Sequence, residues 1–311
     1  MAFPTGETST ELGLAEIARH PAVGAFQSAE WTIDPHTGCE LACVCCPVRL
    51  DELDFSAWRR FEASVGVNLK AVKAFIQKVS PEELRGCRVV LGRRTEPWQQ
   101  AEEKFRLTRS LLAKLAAARE LDLRADTRSS LIARDAELLS RIAARGRVVV
   151  SFSIACADDR ITRLVEPSAP SALRRLSAME ALARAGLTVG LSISPVLPGL
   201  DPDELGLEPL LTRAASAGAR FASLRWMELA PEQRERLLRH ASTAFPESAT
   251  RIRRVLGRRP ADARLRAARE LDFRARCRAL GLLAEDELGA SNGAARTPPT
   301  QLLLFSPPSF R

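Results

Sequence analysis

The stretch Asp34-Pro-His-Thr-Gly-Cys39-Glu-Leu-Ala-Cys43-Val-Cys45-Cys46 is the part of the sequence from which the fold can be argued. Three of its four thiols, those of Cys39, Cys43 and Cys46, follow a Cys-x3-Cys-x2-Cys pattern. A loop with this spacing can turn three sulfurs onto one iron–sulfur cluster, whose usual complement is four thiolates. One iron then keeps an open coordination position, which is what a reactive metal site needs. The alternative is a structural zinc site or a chance group of cysteines, but structural zinc prefers two Cys/His pairs and no second pair lies nearby.

The composition is that of a globular protein with one basic segment. The chain has 311 residues, of which 46% are apolar, and α/β barrels of this length often form one unit. Residues 251–280 contain 11 arginines against three acidic residues, a net charge of +8 that equals the net charge of the whole chain. This segment is either a phosphate-binding surface or an arginine-rich helix that faces solvent.

The cysteine count and the hydropathy indicate where the protein resides. Seven cysteines, an odd number with four in one loop, fit a reducing compartment and metal binding better than disulfides. No apolar run approaches membrane-spanning length, and the N-terminus lacks the apolar segment of a secretion signal. We therefore expect a soluble, cytoplasmic protein that makes no membrane contact.

Apolar periodicity predicts alternating strands and helices over most of the chain. The predicted strands are 30–33, 63–67, 87–91, 121–125, 147–154, 187–194 and 220–227, and the predicted helices are 69–79, 99–119, 132–144, 171–185 and 204–217. Such alternation implies an α/β fold of parallel strands with right-handed crossovers. About six units are present, too few for a closed eight-unit barrel, and in barrels of this type the chemistry lies at the strand C-terminal ends.

The cysteine loop resembles that of the radical S-adenosylmethionine (radical SAM) superfamily. More narrowly, it is similar to a bacterial branch related to the spore photoproduct lyases, whose loop reads N-P-Y-x-G-C-x-H-x-C-x-Y-C. Asp34, His36 and Leu41 replace the Asn, Tyr and His of that pattern, and Cys45 replaces an aromatic residue that flanks the SAM adenine. The resemblance implies a (β/α)6 partial TIM barrel, a [4Fe–4S] cluster on Cys39, Cys43 and Cys46, SAM, and an electron donor such as flavodoxin or ferredoxin.

The resemblance continues after two predicted strands and implies SAM contacts there. Residues 92–102, Gly-Arg-Arg-Thr-Glu-Pro-Trp-Gln-Gln-Ala-Glu, resemble G-T-x-T-D-P-Y-Q-x-A-E. In the family, the positions of Thr95 and Glu96 contact the methionine amino group; N-capping of the next helix is the alternative. Residues 127–129 resemble T-K-S, so Arg128, with Ser129 beside it, is expected to pair with the SAM carboxylate.

Two further matches extend the resemblance from about residue 30 to residue 230. Residues 164–176 match L-E-P-x-A-P followed by R-R-L, and either Glu166 or Arg174 is expected to contact SAM. Residues 194–200 match P-V-I-P-G-L, a turn that commonly lines the adenine pocket, which assigns Pro195 and Val196 to that pocket.

Three other polar residues follow from the predicted strand 147–154. Ser151 and Ser153 alternate with apolar residues and therefore share one face, where they can hydrogen-bond the ribose or the methionine part of SAM. Cys156 lies just beyond the strand, at the predicted barrel mouth, and is a candidate catalytic residue that returns a hydrogen atom to a substrate radical. A small buried residue is the alternative for this cysteine.

The C-terminal residues carry a second resemblance. Beyond residue 288 the composition turns to Gly, Ser, Asn, Thr and Pro, which predicts disorder. Gln301-Leu302-Leu303-Leu304-Phe305 resembles the pentapeptide Q-L-x-L-F with which bacterial DNA polymerases and repair proteins bind the β sliding clamp. A disordered tether that presents an apolar segment fits groove binding, although the segment can also fold back on the barrel. The expected organisation is an N-terminal segment 1–28, a barrel 29–245, a basic helical extension 246–288 and a flexible tail 289–311.

These patterns favour an enzyme that cleaves SAM to methionine and a 5′-deoxyadenosyl radical. The basic segment and the tail both indicate DNA, so repair or modification of a nucleobase is the expected activity. Photoproduct lyase activity itself is disfavoured, because Arg94 stands where those enzymes carry their hydrogen-returning cysteine. The alternative is a non-catalytic DNA-associated module with a cluster or zinc, recruited to the clamp. Conventional hydrolases are disfavoured because no Gly-rich phosphate loop or metalloprotease motif occurs.

Overall fold

The strands of the protein form one large sheet and one small ribbon. A computed structural model describes residues 17–20, 30–43, 46, 65–159, 162–163, 166–196, 206–226, 235, 238–239, 250 and 263–288. The strands in these ranges are β1 (Ile17–His20), β2 (Glu30–Ile33), β3 (His36–Thr37), β4 (Gly66–Val67), β5 (Arg88–Leu91), β6 (Asp122–Thr127), β7 (Arg147–Ser153), β8 (Thr188–Val196), β9 (Phe221–Trp226) and β10 (Leu283–Ala284). The large sheet has the order β1-β2-β5-β6-β7-β8-β9-β10, and β3 pairs with β4.

Seven strands of the large sheet run parallel, and helices connect them. Only β1 is antiparallel to its neighbour among the eight strands of this described sheet. The helices are α1 (Leu69–Lys78), α2 (Ala101–Phe105), α3 (Leu107–Leu115), α4 (Ala136–Ala143), α5 (Ala172–Arg184), α6 (Leu207–Ser216) and α7 (Ala263–Ala279). Because at least one helix follows each strand from β5 to β9, the chain makes the crossovers that parallel pairing needs. The six strands β2 and β5 to β9 confirm the predicted (β/α)6 partial barrel.

The large sheet has a face covered by helices and an opposite face, here called the inner face. Phe152 of β7 and Leu191 of β8 belong to the main core that the helices complete. On the inner face, Val149 and Phe221 pack with Leu288 in a smaller apolar cluster. The β7 segment Arg-Val-Val-Val-Ser-Phe-Ser is apolar at most positions because a parallel strand in such a fold is buried on both faces.

Two predicted helices have a different form in the structure. The predicted helix 99–119 is divided into α2 and α3, and Arg106 between them has a φ of 51°. The reason is Glu102, whose carboxylate accepts hydrogen bonds from the backbone N–H groups of Thr108 and Arg109 and so caps the start of α3. The predicted helix 132–144 begins with a 3-10 turn, Leu131–Asp135, before α4.

Both edges of the sheet carry strands that the sequence pattern did not indicate. Within the predicted N-terminal segment 1–28, Ile17–His20 pairs with Glu30–Ile33 as an antiparallel edge strand. At the other edge, β10 pairs with β9 over two residues. Both strands are too short for a recognisable alternation of apolar and polar residues, and each depends on its pairing with the neighbouring strand.

The described part of the C-terminal extension packs on the barrel. Phe273 and Cys277 of α7 are buried in the main core, while Leu271 on the same helix is 70% exposed. After β10, a 3-10 turn, Glu285–Leu288, carries Leu288 to the inner face. The boundary predicted at residue 246 and the tail from residue 289 lie outside the described residues. No helix in the described ranges combines the length and the apolarity needed to cross a membrane.

Candidate functional site

The three predicted cluster ligands lie on a tight loop at the carboxyl end of β2. Cys39, Cys43 and Cys46 are half-buried, and none of the three is in a disulfide within the described part of the chain. The loop turns through Gly38 and Ala42, whose φ angles of 76° and 51° lie in the left-handed region. The Cys46 N–H donates to the Cys43 carbonyl over 3.2 Å. A left-handed alanine costs on the order of 1 kcal/mol, so the surrounding structure imposes this conformation.

Gln99 holds the cluster loop from both directions. Its Oε1 accepts a hydrogen bond from the Glu40 N–H over 2.8 Å, and its Nε2 donates to the Gly38 carbonyl over 3.3 Å. The Glu40 carboxylate in turn accepts from the Ala101 N–H over 3.1 Å. Because Gln99 is buried, these bonds fix the position of the loop relative to the segment after β5.

The Cys39 sulfur has surroundings that suit a metal-bound thiolate. Burial raises the pKa of the free Cys39 thiol to about 12, whereas hydrogen bonds from the Leu41 and Glu96 backbone N–H groups to the sulfur lower this pKa. A metal ion favours the deprotonated form outright, and the two N–H donors then stabilise the thiolate. No three His, Cys, Asp or Glu side chains within the described ranges converge on a point for one metal ion. A four-iron cluster does not require such convergence, because each thiolate binds a different iron.

Asp34 connects the end of β2 to the turn after β5. Its Oδ1 accepts hydrogen bonds from the Arg94 N–H over 3.0 Å, the Thr95 N–H over 2.9 Å and the Thr95 hydroxyl over 3.3 Å. The Thr95 hydroxyl also lies 3.3 Å from the His36 carbonyl. Burial raises the pKa of the Asp34 carboxyl, and these hydrogen bonds oppose the shift. The Thr95 hydroxyl is therefore directed to two acceptors of the chain itself, Asp34 Oδ1 and the His36 carbonyl.

Glu96 connects the turn after β5 to the end of β6. Its Oε1 accepts from the Trp98 N–H over 3.1 Å and from the Thr127 hydroxyl over 2.6 Å, and its Oε2 accepts from the Arg128 N–H over 2.7 Å. Burial raises the pKa of this carboxyl. A carboxylate oxygen accepts about two hydrogen bonds, so Oε2 keeps room for one more donor. The predicted contact with the SAM amino group is compatible with that position.

Arg128, Glu166 and Arg175 form a buried ion-pair network beside the site. Arg128 Nε donates to Glu166 Oε1 over 2.8 Å, and Arg175 Nη2 lies 2.7 Å from Glu166 Oε2. Arg175 also donates to the Pro170 carbonyl over 2.8 Å and to the Ser153 carbonyl over 2.6 Å. Glu166 and Arg175 are fully buried, whereas the Arg128 side chain is 28% exposed. Glu166 therefore fixes the orientation of Arg128, the residue predicted to pair with the SAM carboxylate.

The structure brings Glu166, but not Arg174, to this network. Arg174 is exposed on α5, where its backbone N–H donates to the Ser171 side chain. The neighbouring Arg175 makes the buried contacts, and sequence reasoning missed it. Arg175 lies three residues after Ala172 and four before Met179, on the stripe that α5 buries, so helical spacing would have distinguished the two arginines.

Five other predicted SAM residues have defined positions. Ser129 accepts a hydrogen bond from the Leu131 N–H over 3.1 Å and so begins the 3-10 turn. Ser153 is buried on the inner face of β7, as is Ser151. Pro195 and Val196 are buried at the end of β8, while residues 197–200 of the same motif lie outside the described residues.

The predicted catalytic residue Cys156 is fully buried just after β7. Its sulfur accepts a hydrogen bond from the Asp158 N–H over 3.4 Å, and its carbonyl accepts from the Thr162 hydroxyl over 3.1 Å. These contacts are those of a packed loop residue. Hydrogen-atom return by Cys156 stays a prediction.

A second buried network joins β3 to the segment after β5, and no sequence pattern indicated it. His36 Nε2 is 3.4 Å from Glu102 Oε2, and both side chains are fully buried. Asp135 accepts from Trp98 Nε1 over 3.0 Å and from Arg109 over 2.7 Å, and Arg134 contacts both Asp135 and Glu102, which joins these contacts. The network therefore holds β3 and the turn at Trp98 in fixed positions relative to each other.

Comparison with known proteins identifies a family. The family model described as the Radical SAM superfamily matches residues 33–206. Uncharacterized protein Rv2578c of Mycobacterium tuberculosis (strain ATCC 25618 / H37Rv) is 30% identical over 232 residues, which cover 74% of this chain and 68% of that protein. Uncharacterized protein MJ0683 of Methanocaldococcus jannaschii is 24% identical over 174 residues, which cover 55% of this chain and 62% of that protein.

Solved structures show the same fold. A spore photoproduct lyase variant with bound AdoMet and dinucleoside spore photoproduct superimposes with a TM-score of 0.53 at 16% identity, covering 82% of this chain and 75% of that one. Another variant of that lyase gives a TM-score of 0.55 at 15% identity with the same coverage. The family model spans more than half of the chain and includes the cysteine loop, and this protein therefore belongs to the radical SAM superfamily.

Proposed function

We propose that this protein is a radical SAM enzyme that acts on DNA, in repair or in modification of a nucleobase. Membership of the family implies a [4Fe–4S] cluster and SAM. When bound, these cofactors supply a 5′-deoxyadenosyl radical that removes a hydrogen atom from the substrate. The observation that carries the proposal is the convergence of the cysteine loop with the Glu96 and Arg128–Glu166 contacts at the carboxyl ends of the strands.

The residues of the chain have separate tasks in this proposal. Cys39, Cys43 and Cys46 hold the cluster, and Gln99 keeps their loop in place. Arg128 offers guanidinium N–H groups to the SAM carboxylate while Glu166 holds its Nε. Reduction of the cluster needs an external donor, for which a flavodoxin or a ferredoxin is the proposed source.

The DNA assignment rests on charge, on the tail and on the fold relatives. The solved lyase variant has a dinucleoside spore photoproduct bound. In α7, however, Arg274, Arg276 and Arg278 form ion pairs with acidic side chains, so part of the helix charge is neutralised within the fold. Residues 251–262, with five further arginines, lie outside the described residues.

The test begins with anaerobic iron reconstitution and a low-temperature EPR spectrum of the reduced protein with and without SAM. We expect a [4Fe–4S]+ signal that changes shape when SAM is added. The same protein is then incubated with SAM, reductant and sheared genomic DNA, either native or ultraviolet-irradiated, and 5′-deoxyadenosine is measured. An EPR signal that is the same with and without SAM favours the non-catalytic module. An amount of 5′-deoxyadenosine that is the same with and without DNA contradicts the substrate assignment.

We also propose that Gln301-Leu302-Leu303-Leu304-Phe305 binds the β sliding clamp. These residues lie outside the described part of the chain, and Leu288 is the last described residue before them. The intervening chain can span at most about 45 Å, at roughly 3.3–3.6 Å per residue, which keeps a docked barrel close to the DNA that the clamp encircles. Deletion of residues 301–305 is expected to abolish clamp binding in a pull-down with purified clamp and to leave the SAM-dependent EPR change intact. Unchanged clamp binding contradicts the assignment.

A further inference from the structure

We propose that the starts of α1 and α2 form a docking surface for an acidic protein that delivers one electron to the cluster. This lysine surface consists of Leu69, Lys70, Lys73, Lys104, Phe105 and Arg106. In the step that it serves, the reduced carrier loses one electron, the oxidised cluster gains it, and no other group is exchanged. The inference rests on the proposed function for the need of a donor, whereas the surface is argued from position, charge and exposure.

Chain order places the starts of α1 and α2 at the end of the sheet that carries the cysteine loop. α1 follows that loop and leads to the beginning of β5, and α2 follows the turn after β5. Each crossover between parallel strands returns the chain to the opposite end of the sheet. The first turns of these segments therefore lie at the carboxyl ends of the strands, beside the cluster ligands.

β4, which directly precedes α1, is held against the residues that lead into Cys39. It pairs with β3, where Thr37 lies opposite Gly66. A Cβ on Gly66 would lie 2.1 Å from the Thr37 hydroxyl oxygen, so only glycine permits this close approach. The Asn68 N–H donates to the Pro35 carbonyl over 3.1 Å. The beginning of α1 is therefore fixed relative to the cysteine loop.

α2 is joined to the loop itself, and its neighbour α3 packs beside α1. The Glu40 carboxylate on the loop accepts a hydrogen bond from the Ala101 N–H, the first residue of α2. Phe105 ends this single turn, and Arg106 leads into α3. Because α3 packs beside α1, the two helical segments form neighbouring parts of one side of the barrel.

The lysines of the chain are confined to these helices. Lysine and arginine together number 46, yet no lysine occurs before residue 70 or after residue 114. The lysines are Lys70, Lys73 and Lys78 on α1, Lys104 on α2 and Lys114 on α3. Lysine is a hydrated point charge on a flexible stem, whereas arginine makes bidentate contacts of fixed geometry. Lysine therefore suits a partner that binds briefly and leaves.

The charges near the cysteine loop are available to a partner. Lys70 and Lys73 are exposed and share one face of α1, and neither forms an ion pair with another described residue. Arg106 is also exposed and unpaired in the described ranges. By contrast, three arginines of α7 are paired with acidic side chains. Glu103 is the exposed acidic residue of α2, so the lysine surface carries a net positive charge that attracts an acidic protein.

Two exposed apolar side chains lie among these charges. Leu69 is 41% exposed and Phe105 is 39% exposed, and they are two of the four large apolar side chains that are exposed within the described residues. Lys104 Nζ lies 5.3 Å from the centroid of the Phe105 ring, a cation–π contact. Apolar residues with charged residues at their border are the composition of a protein-docking surface.

The apolar residues favour a protein partner over a nucleic acid. Phosphates are bound by charged and polar donors, and single-stranded bases stack on aromatic rings. Leu69 provides neither contact, but it can pack against a protein. Electron-transfer partners typically form small, weak interfaces, which agrees with two apolar residues and a few lysines. A carrier bound at this position brings its redox group close to the cysteine loop.

The test measures reduction of the reconstituted cluster in the full chain by anaerobic stopped-flow absorbance at low ionic strength. The donors are a purified flavodoxin, a purified bacterial ferredoxin and photoreduced deazaflavin, a small molecule that needs no docking surface. Lys70→Glu/Lys73→Glu is expected to slow reduction by the faster protein donor about tenfold, because electrostatic steering is lost. Reduction by deazaflavin is expected to be unchanged. Calorimetric titration with the oxidised protein donor is expected to show a matching loss of affinity.

A matched control separates the lysine surface from the net charge of the protein. Arg141→Glu/Arg213→Glu makes the same change in net charge with two exposed arginines in the last turns of α4 and α6, at the opposite end of the sheet. Its rate is expected to stay within about twofold of wild type, because distant exposed charges are screened. Phe105→Ser is expected to weaken donor binding and to keep its salt dependence, because it removes apolar contact and no charge.

Several results overturn the inference. They are failure of both protein donors with wild type, an unchanged rate in Lys70→Glu/Lys73→Glu, an equal loss in the arginine control, and a parallel loss with deazaflavin. A lysine variant that loses affinity for sheared genomic DNA but keeps donor-driven reduction shows a nucleic-acid contact instead. A wild-type cluster that deazaflavin reduces, but whose EPR signal is the same with and without SAM, overturns the proposed function, and the donor rates still decide the docking inference.

Discussion

Replacement of Arg175 by methionine tests whether the buried ion-pair network organises the site. Methionine keeps most of the volume of the side chain, so the change removes charge and hydrogen bonds rather than packing. In the variant, Glu166 Oε2 loses its cation, and the carbonyls of Pro170 and Ser153 lose their donors. Arg128 remains as the described cation on Glu166.

The magnitude follows from the burial of both partners. Removing one member of a fully buried ion pair typically costs about 3–5 kcal/mol, because the remaining charge stays desolvated. This is a large part of the roughly 5–15 kcal/mol by which most proteins are stable. For a chain of this size we expect the midpoint of thermal unfolding to fall by about 6–10 °C.

The neighbouring arginine provides a matched control. Arg174→Met changes an exposed residue of the same type on the same helix and is expected to shift the midpoint by less than about 1 °C. Adding Glu166→Gln to Arg175→Met is expected to recover part of the loss, because a neutral amide then replaces the buried carboxylate that has lost one of its two cations. Thermal unfolding followed by circular dichroism measures all variants. An Arg175→Met protein as stable as Arg174→Met refutes the argument, and so does a double variant that is less stable than Arg175→Met.

Three further predictions concern the cluster loop and its support. Cys43→Ala is expected to abolish iron binding after reconstitution and Cys45→Ala to retain it; the opposite result for either variant, measured by iron analysis, shows that the ligand assignment is wrong. Gln99→Ala is expected to reduce iron incorporation severalfold while its exposed neighbour Gln100→Ala does not, because only Gln99 bonds the loop; equal iron contents contradict this role. Asp34→Asn keeps the acceptor oxygen and removes a buried charge whose pKa is raised, so wild-type stability falls as pH rises through that pKa. The variant is therefore expected to have the higher thermal midpoint at pH 8 and no advantage near pH 3, and an advantage of the same size at both pH values contradicts the electrostatic reason.

The parallel core was predictable from the sequence because its signals are local. Strand 147–153 contains three consecutive valines and Phe152, and strands of this kind alternate with helices along the chain. The short edge strands Ile17–His20 and β10 were not predictable, since strands of four and two residues are too short to show an alternation of apolar and polar residues. The division between α2 and α3 was also missed, because it depends on the Glu102 side chain turning to cap the next helix.

Candidate site residues that belong to a sequence motif could be predicted. Residues whose role depends on contacts with distant parts of the chain could not be predicted as well. Thr95, Glu96 and Arg128 were singled out by their motifs, and in the structure the Glu96 carboxylate accepts a hydrogen bond from the Arg128 N–H. Their contacts with SAM stay predictions. Arg225 of β9 donates to Glu285 of the 3-10 turn after β10, and nothing in the sequence around either residue indicates this contact. Such cross-sheet proximity is set by strand order, which periodicity alone does not specify.

The carboxylates at the strand ends have a shared structural role that bears on how the site forms. Asp34 links β2 to the turn after β5, Glu96 links that turn to β6, and Glu166 links Arg128 to α5 through Arg175. Burial raises the pKa of the Asp34 and Glu96 carboxyls, and hydrogen bonds from neighbouring backbone N–H groups oppose that shift. These donors stabilise the two buried groups as hydrogen-bond acceptors. Each of these bonds joins two parts of the chain. The frame that positions the cluster loop and Arg128 is therefore built by the chain itself, and cofactor binding is expected to order the cysteine loop more than the strand ends that support it.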